Sequence, residues 1–450
     1  MELALRAYKE DPIIDSLIAI QGQQDEEFWS FKSHSRRKGA HSLIHYPAMM
    51  VPALQGTLID ALNQHMPIQE VLDPFVGSGT VMVESMNRGM NFTGVDINPL
   101  AVLSCLVKSG PYYDSSLSKK ANSLLASIKS DSGTYKVREF FGRDKWFHKE
   151  ISQDLEKISA NIKKEKSLWA RRIFWLALCR VVRSTSNSRL STYKLHKKSD
   201  SQISEKKPPI PLFEKYLKDI FSSISDQKHC FQENGLISKG RHLGKTSIYL
   251  SDIREALTKN NKIKDFDLIM TSPPYGDNQT TIPYGQFSYL PLNWVDLEDI
   301  DKNINKDILL RTNSIDSASL GGSLKESKEK IEYLAENYPS AKSFISQIMD
   351  SESGLKRFSS FFIDLDNTID LLSNKTKNNG YQAWTIGNRR ITQQLVPMHE
   401  ILIEMLDKRS LIAITSIERK IAYKKMAKRN NISDTMDSEN IIIAKMDRQT

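Results

Sequence analysis

The chain has 450 residues, 39% of them apolar, and its 63 Lys and Arg against 54 Asp and Glu leave a net charge of +9. That describes an ordinary soluble protein with one large core or two domains, and the basic excess suits a polyanionic partner. No apolar run approaches the length needed to span a bilayer. Cys105, Cys179 and Cys230 lie far apart without ligand spacing, so neither a membrane span, a disulfide framework nor a metal site is expected, and the cytoplasm is the expected location.

In chain order, Val71-Leu72 closes a short strand and 73–80, Asp-Pro-Phe-Val-Gly-Ser-Gly-Thr, makes the turn after it. Val81 to Asn87 reads as a helix stopped by Gly89, and Asn91 to Asp96 as a strand ending in a carboxylate. Glycines at Gly77 and Gly79 let the backbone pass close to a ligand. A dinucleotide turn would carry a third glycine where Met82 stands, and a P-loop would carry a GK[ST] that is absent. Asp73 also disfavours a diphosphate. A cationic, phosphate-free nucleoside such as S-adenosyl-L-methionine fits better. In an open α/β sheet Asp96 would then accept both ribose hydroxyls.

The region 110–241 is charged and helix-rich, with apolar residues at helical spacing from Trp169 to Val182, and Leu195 to Pro211 reads as a loop. Strand character returns at Ser247–Leu250 and Phe266–Met270. A second helical stretch runs from Leu297 to Lys375, where Phe358, Phe361, Phe362, Leu365, Ile369 and Leu372 recur at three and four. Gln382–Ile386, Leu411–Thr415 and Ile441–Ala444 read as strands and Pro397–Asp407 as a helix. Strands alternating with helices predict an open, mostly parallel sheet interrupted by two helical inserts.

The most informative peptide is Thr271-Ser272-Pro273-Pro274-Tyr275, directly after an apolar strand. The loop resembles that of amino-methyltransferases, whose target, an exocyclic amine conjugated to its ring, is a poor nucleophile, so the site must accept its N–H groups and localise its lone pair. The Ser272 hydroxyl and the Pro273 carbonyl are suitable acceptors, Pro273 and Pro274 stiffen the loop, and Tyr275 offers a face for an extruded base. Alone, a Ser-Pro-Pro-Tyr tetrad is equally a rigid turn. Cytosine C5 chemistry needs a Pro-Cys loop, and none of the three cysteines follows a proline.

Together these motifs resemble the S-adenosylmethionine-dependent amino-methyltransferases acting on DNA, over about half of the chain. Asp73, Phe75, Gly77, Gly79 and Thr80 look like their first cofactor motif, and Asp96 and Asn98 like the two that follow. The segment 45–52, with Tyr46 and Pro47, resembles the one that closes over the methionine end; Asp252 resembles the acid that binds the adenine amine. Ser ahead of Pro-Pro-Tyr is typical of cytosine N4 enzymes, and Asp or Asn of adenine N6 enzymes.

The resemblance implies a Rossmann-like core with a C-terminal antiparallel hairpin, in which 1–109, 242–296 and 376–450 form the core and 110–241 and 297–375 the inserts. It implies transfer to cytosine N4 in double-stranded DNA with base flipping, within a restriction-modification system having a cognate endonuclease. Adenine N6 and, further off, guanine N2 in RNA are the alternatives. Gly77 precedes Ser272 by 195 positions, an order that departs from many cytosine N4 enzymes and leaves room for recognition between the two motifs. Within that region, Arg183 to Arg189, with Asn187, could read base edges, and Lys194, Lys197 and Lys198 could hold phosphates. Gly276 to Gln279 suits a mobile segment near the base, Tyr289 and Trp294 suit core or stacking roles, and Arg389-Arg390 suits a phosphate contact.

Overall fold

The computed structural model describes residues 5–448 apart from 23–26, 33–37, 206, 260–262, 279–280, 326 and 422–437. Its frame is an eight-stranded sheet. In chain order the strands are β1 (Leu5–Ala7), β2 (Glu70–Asp73), β3 (Asn91–Asp96), β4 (Thr246–Leu250), β5 (Phe266–Thr271), β6 (Thr376–Gly387), β7 (Leu411–Lys420) and β8 (Ser438–Met446). In space they run β1-β7-β8-β6-β5-β2-β3-β4. The five strands from β4 to β6 are mutually parallel. β8, β7 and β1 extend them antiparallel, with the β7–β8 pair as the closing hairpin. Successive strands depart from β2 in opposite directions, β3 to one side and β5 to the other. A sheet of this kind opens a crevice at that switch point, at the carboxyl ends of the strands.

Side-chain alternation divides the core between the two faces. Val71, Leu268 and Met270 join one apolar cluster with the helices Pro52–His65, Pro99–Lys108 and Leu168–Thr185. Leu72 and Ile269, one residue along, join the other, with Phe358, Phe361, Leu365 and Ile369. A period of two on strands covered on both sides is what a parallel sheet requires.

Three expectations change. The prolines that close the predicted loop at 195–211 open a helix instead, Pro209–Glu233, with Pro209 in its first turn. A first-turn proline loses no hydrogen bond and has its φ preset, so a Pro-Pro pair can start a helix as readily as end a loop. The apolar repeat from Phe358 to Leu372 belongs to the helix Glu352–Asn374, which makes the crossover from β5 to β6 and packs on the sheet, so the end of the second helical stretch is part of the core. The hairpin strands also outrun their predicted ends, because polar residues such as Glu418 and Glu439 continue the ladder.

Candidate active site

Four turns meet at the switch point. The loop after β2 brings Pro74 to Thr80, β3 brings Asp96 to Asn98, β4 brings Ser251 to Ile253, and β5 brings Ser272 and Pro274. With Tyr46 to Met50 and Tyr284 they line one cleft, whose empty space including its open mouth is about 820 Å³. Of the sequence-predicted residues, Tyr46, Pro47, Phe75, Gly77, Thr80, Asp96, Asn98, Asp252, Ser272 and Pro274 lie on its wall. Asp73, Gly79, Pro273 and Tyr275 are not on the wall.

Asp96 is fixed by the turn it faces. Its Oδ2 accepts from the Gly77 N–H at 2.8 Å and its Oδ1 from the Asn98 N–H at 2.8 Å. Burial pushes its pKa up to about 6 against the pull of those N–H groups. Each oxygen keeps a lone pair, so a diol remains a suitable ligand. Asn98 donates from Nδ2 to the Tyr46 hydroxyl at 2.9 Å and the Ser288 hydroxyl at 2.8 Å. This ties the β3 turn to the closing segment, and Tyr46 stacks on Tyr284 with ring centroids 5.7 Å apart. Gly79, at φ +79°, starts the helix Thr80–Met86. A Cβ there would meet Cys105 Sγ at 2.9 Å, so the turn can only be this tight with glycine.

Asp73 couples the two central strands. Its Oδ1 accepts from Phe75 N–H and from the Thr271 hydroxyl, the latter at 2.7 Å, so the residue preceding Ser272 is tied to the residue preceding the glycine turn. Oδ2 is buried without a hydrogen bond, and burial raises the pKa to about 7. A carboxyl held neutral this way binds its proton more tightly folded than unfolded. Stability without ligand is therefore expected to fall as pH rises from about 4 to about 7, by on the order of 3–4 kcal/mol at one pKa unit per 1.36 kcal/mol. Asp73→Asn is expected to flatten that slope in urea unfolding at a series of pH values. An equal slope in the variant would assign it elsewhere. Asp252 lies on the wall with both oxygens on Arg254, at 3.0 and 2.6 Å.

Behind the Ser-Pro-Pro-Tyr loop, Gly276 (φ +147°) lies against Arg389, whose guanidinium pairs with Asp277 at 3.3 Å, with side-chain exposures of 8% and 7%. A Cβ on Gly276 would fall 1.6 Å from Arg389 Nη1. Gly276→Ala is expected to push the guanidinium off Asp277 and strain the backbone at this φ, costing about 1–3 kcal/mol. An unmoved urea midpoint would contradict this.

This burial also corrects the expectation for Arg389, which is an internal brace and no phosphate contact; Arg390 is exposed. Asn187 is likewise buried, donating to the Lys145 carbonyl, and Arg183 lies over the Phe287 ring at 4.0 Å. Lys198 donates to the Ser186 carbonyl at 2.6 Å. Arg189, Lys194 and Lys197 remain exposed. Tyr289 and Trp294 are core, and Gln279 lies outside the described residues.

Sequence reasoning missed three supports. Lys108, fully buried, donates to the Ser78 carbonyl at 2.6 Å and props the glycine turn from beneath. Asp316 accepts from the Gly285 N–H at 2.8 Å at the start of the helix Tyr284–Leu292, whose own N-cap residue is a proline. Glu439 reaches the Tyr275 hydroxyl of the Ser-Pro-Pro-Tyr loop from the hairpin. A lone Lys, Asp or Glu in a charged stretch carries no pattern that signals such a contact.

Over 97% of its length the chain is 30% identical to the Type II methyltransferase M.MvaI of Kocuria varians, and it covers 97% of that protein. The chain belongs to the Type II methyltransferases. S-adenosyl-L-methionine is accordingly its methyl donor. A second Type II methyltransferase, M.MjaII of Methanocaldococcus jannaschii, is 31% identical over 117 residues, 26% of this chain and 22% of that one. No protein-family model matches the chain. The solved rRNA methyltransferase aviRa from Streptomyces viridochromogenes aligns over 92% of both chains at 9% identity and a TM-score of 0.31, too distant to carry an argument.

The cleft suits this donor on its own chemistry. Asp96 supplies acceptors for a ribose, and the turn presents no basic phosphate cradle. Asp73, with its orphaned carboxyl oxygen beneath the same turn, is neutral without ligand and would be drawn into its charged form by a cationic ligand, whereas an anionic one would oppose that. Among the described residues no His, Cys, Asp and Glu group could hold a metal ion, and no helix is long and apolar enough to cross a membrane.

Proposed function

We propose that this Type II methyltransferase transfers a methyl group from S-adenosylmethionine to the exocyclic N4 amine of cytosine in double-stranded DNA, as the modification half of a restriction-modification pair with a cognate endonuclease. The observation that carries the reading is that Ser272 lines the same cleft as Gly77 and Asp96. The base acceptor and the cofactor turn therefore face one space, and Ser rather than Asp or Asn ahead of Pro-Pro-Tyr favours cytosine. The basic excess and the Type II relatives support a DNA substrate.

S-adenosylmethionine supplies an electrophilic methyl group; the protein positions and polarises. Asp96 holds the ribose hydroxyls, Gly77 and Thr80 border the donor, and Tyr46 and Pro47 close over it and exclude water. Asp252 accepts from the adenine amine with the lone pairs Arg254 leaves. Ser272 Oγ accepts one amine proton, and the Pro273 carbonyl, set back from the wall in the same loop, is the acceptor it offers for the other, which turns the nitrogen lone pair toward the methyl. The cleft reaches its target only if the base is rotated out of the duplex, so the cost of unstacking falls to the binding step.

The test is to methylate DNA with the radiolabelled donor, digest it to nucleosides and identify the labelled product. Label in N4-methylcytosine is the expected result. Label in N6-methyladenine would move the target to the other amine, and label recovered only from RNA would remove DNA from the account.

A further inference from the structure

The loop that carries Ser272 does not end its hydrogen bonding within itself. Ser272 Oγ lies 3.1 Å from the Tyr275 hydroxyl, and Tyr275 donates to Glu439 Oε1 at 3.1 Å. Glu439 Oε2 in turn pairs with Arg419 Nη1 at 3.0 Å. Arg419 and Glu439 are directly opposed on β7 and β8, so the antiparallel hairpin, remote in sequence, terminates a chain of four side chains that begins in the cleft.

The direction of that chain follows from counting protons. Arg419 only donates and a carboxylate only accepts, so Tyr275 must give its single proton to Glu439. The Tyr275 oxygen is then left to accept, and Ser272 must spend its own proton on it. What Ser272 presents to the cleft is therefore lone pairs alone, the arrangement needed to accept an N–H from a base. Burial, then the nearby Glu439 charge, holds the Tyr275 hydroxyl well above its usual pKa, which keeps the donor proton in place.

We infer that Glu439 is a positioning residue and the terminal proton acceptor of the active site: through Tyr275 it sets Ser272 to accept from the target amine and takes up the proton that methylation releases. This rests on the assignment of Ser272 as the amine acceptor. In the step, an N–CH3 bond forms as the S–CH3 bond breaks, leaving the nitrogen with one proton too many. That N–H bond breaks and its electron pair stays on nitrogen. The proton passes to Ser272 Oγ as Ser272's proton passes to Tyr275 and Tyr275's to Glu439 Oε1. One proton moves from nitrogen to carboxylate, with no oxidant or reductant. Glu439 is 16% exposed and can release it to solvent. The titratable and charged groups bearing on Glu439 among the described residues are Arg419 of β7, Tyr275 of the loop and Tyr284 of the helix Tyr284–Leu292.

Glu439→Gln discriminates sharply. Arg419 would hold the amide carbonyl, which turns the NH2 toward Tyr275 and reverses the chain, so that Ser272 points a proton at the amine. Tyr275→Phe cuts the chain while keeping the ring. Single-turnover rates on DNA, measured from pH 5 to 9 with the full-length enzyme, are expected to fall on the order of ten- to hundredfold in each variant. Calorimetric affinity for S-adenosylmethionine should not change. The dependence of rate on pH should differ between the wild type and Glu439→Gln, and the double variant should be no slower than the slower single one. Wild-type rate and profile in Glu439→Gln, or losses that multiply in the double variant, would overturn the inference. Should Glu439→Gln fail to fold, Tyr275→Phe alone decides by the same rate and profile. Ser272→Ala separates the two claims: a slowed Ser272→Ala beside an unaffected Glu439→Gln refutes the relay only, whereas a fully active Ser272→Ala refutes the acceptor assignment beneath it.

Discussion

Replacing Ser272 with alanine is expected to slow methyl transfer by about 10²–10³ while leaving fold and cofactor affinity as they are. The hydroxyl is the polar group that the catalytic loop presents on the cleft wall, and the lone pair it orients does not exist in the right direction without it. Removing one pre-aimed acceptor or donor from an active site typically costs about 10²–10³ in turnover. Here the Pro273 carbonyl remains, so residual activity at that level is expected. The fold should tolerate the change, because Ser272 is only partly buried and its recorded side-chain partner is the Tyr275 hydroxyl. Turnover is read with labelled donor and affinity by calorimetry. Full turnover in the variant would take the chemistry away from this loop.

Asp96→Ala is expected to act on the other half of the cleft. Two hydroxyls bonded to a charged acceptor are worth about 1.5–3 kcal/mol each, so the affinity for S-adenosylmethionine should fall by at least about a hundredfold. Part of the loss comes from the protein itself, since Asp96 also pins the Gly77 and Asn98 N–H groups. Asp96→Asn, which keeps one acceptor, should fall between. Because burial lifts the Asp96 carboxyl to about 6, binding to the wild type should weaken as pH drops below that value and the carboxylate is lost. An alanine variant that binds as tightly as wild type would show that the ribose is held elsewhere.

The parts of this protein that could be read from its sequence are those where the backbone does the work. The glycine turn, the acid ending β3 and the Ser-Pro-Pro-Tyr loop are local: each is a strand end plus a turn whose residue types are dictated by conformation or by chemistry. Parallel strands then place all three at one end of the sheet, so their meeting follows from topology. What stayed hidden are side chains that act across long sequence distances. Asp73 and Thr271 are 198 residues apart, and Tyr275 and Glu439 are 164 apart. Arg389 was legible as a cation but not as a buried one, because its burial depends on Gly276 offering no Cβ. Asn187 was likewise legible as a polar side chain but not as a buried one: residue type announces what a side chain can bond, and only packing decides what it does bond.

The glycine turn and the Ser-Pro-Pro-Tyr loop share a single cleft, and photolabelling tests that juxtaposition most directly. Ultraviolet irradiation of the enzyme with methyl-tritiated S-adenosylmethionine, followed by peptide mapping, should place the label in peptides carrying Tyr46, 74–80 or 272–275. Unlabelled donor should compete it away. Label confined to peptides remote from the cleft, such as those lining the groove beside His399 and Glu418, would contradict it.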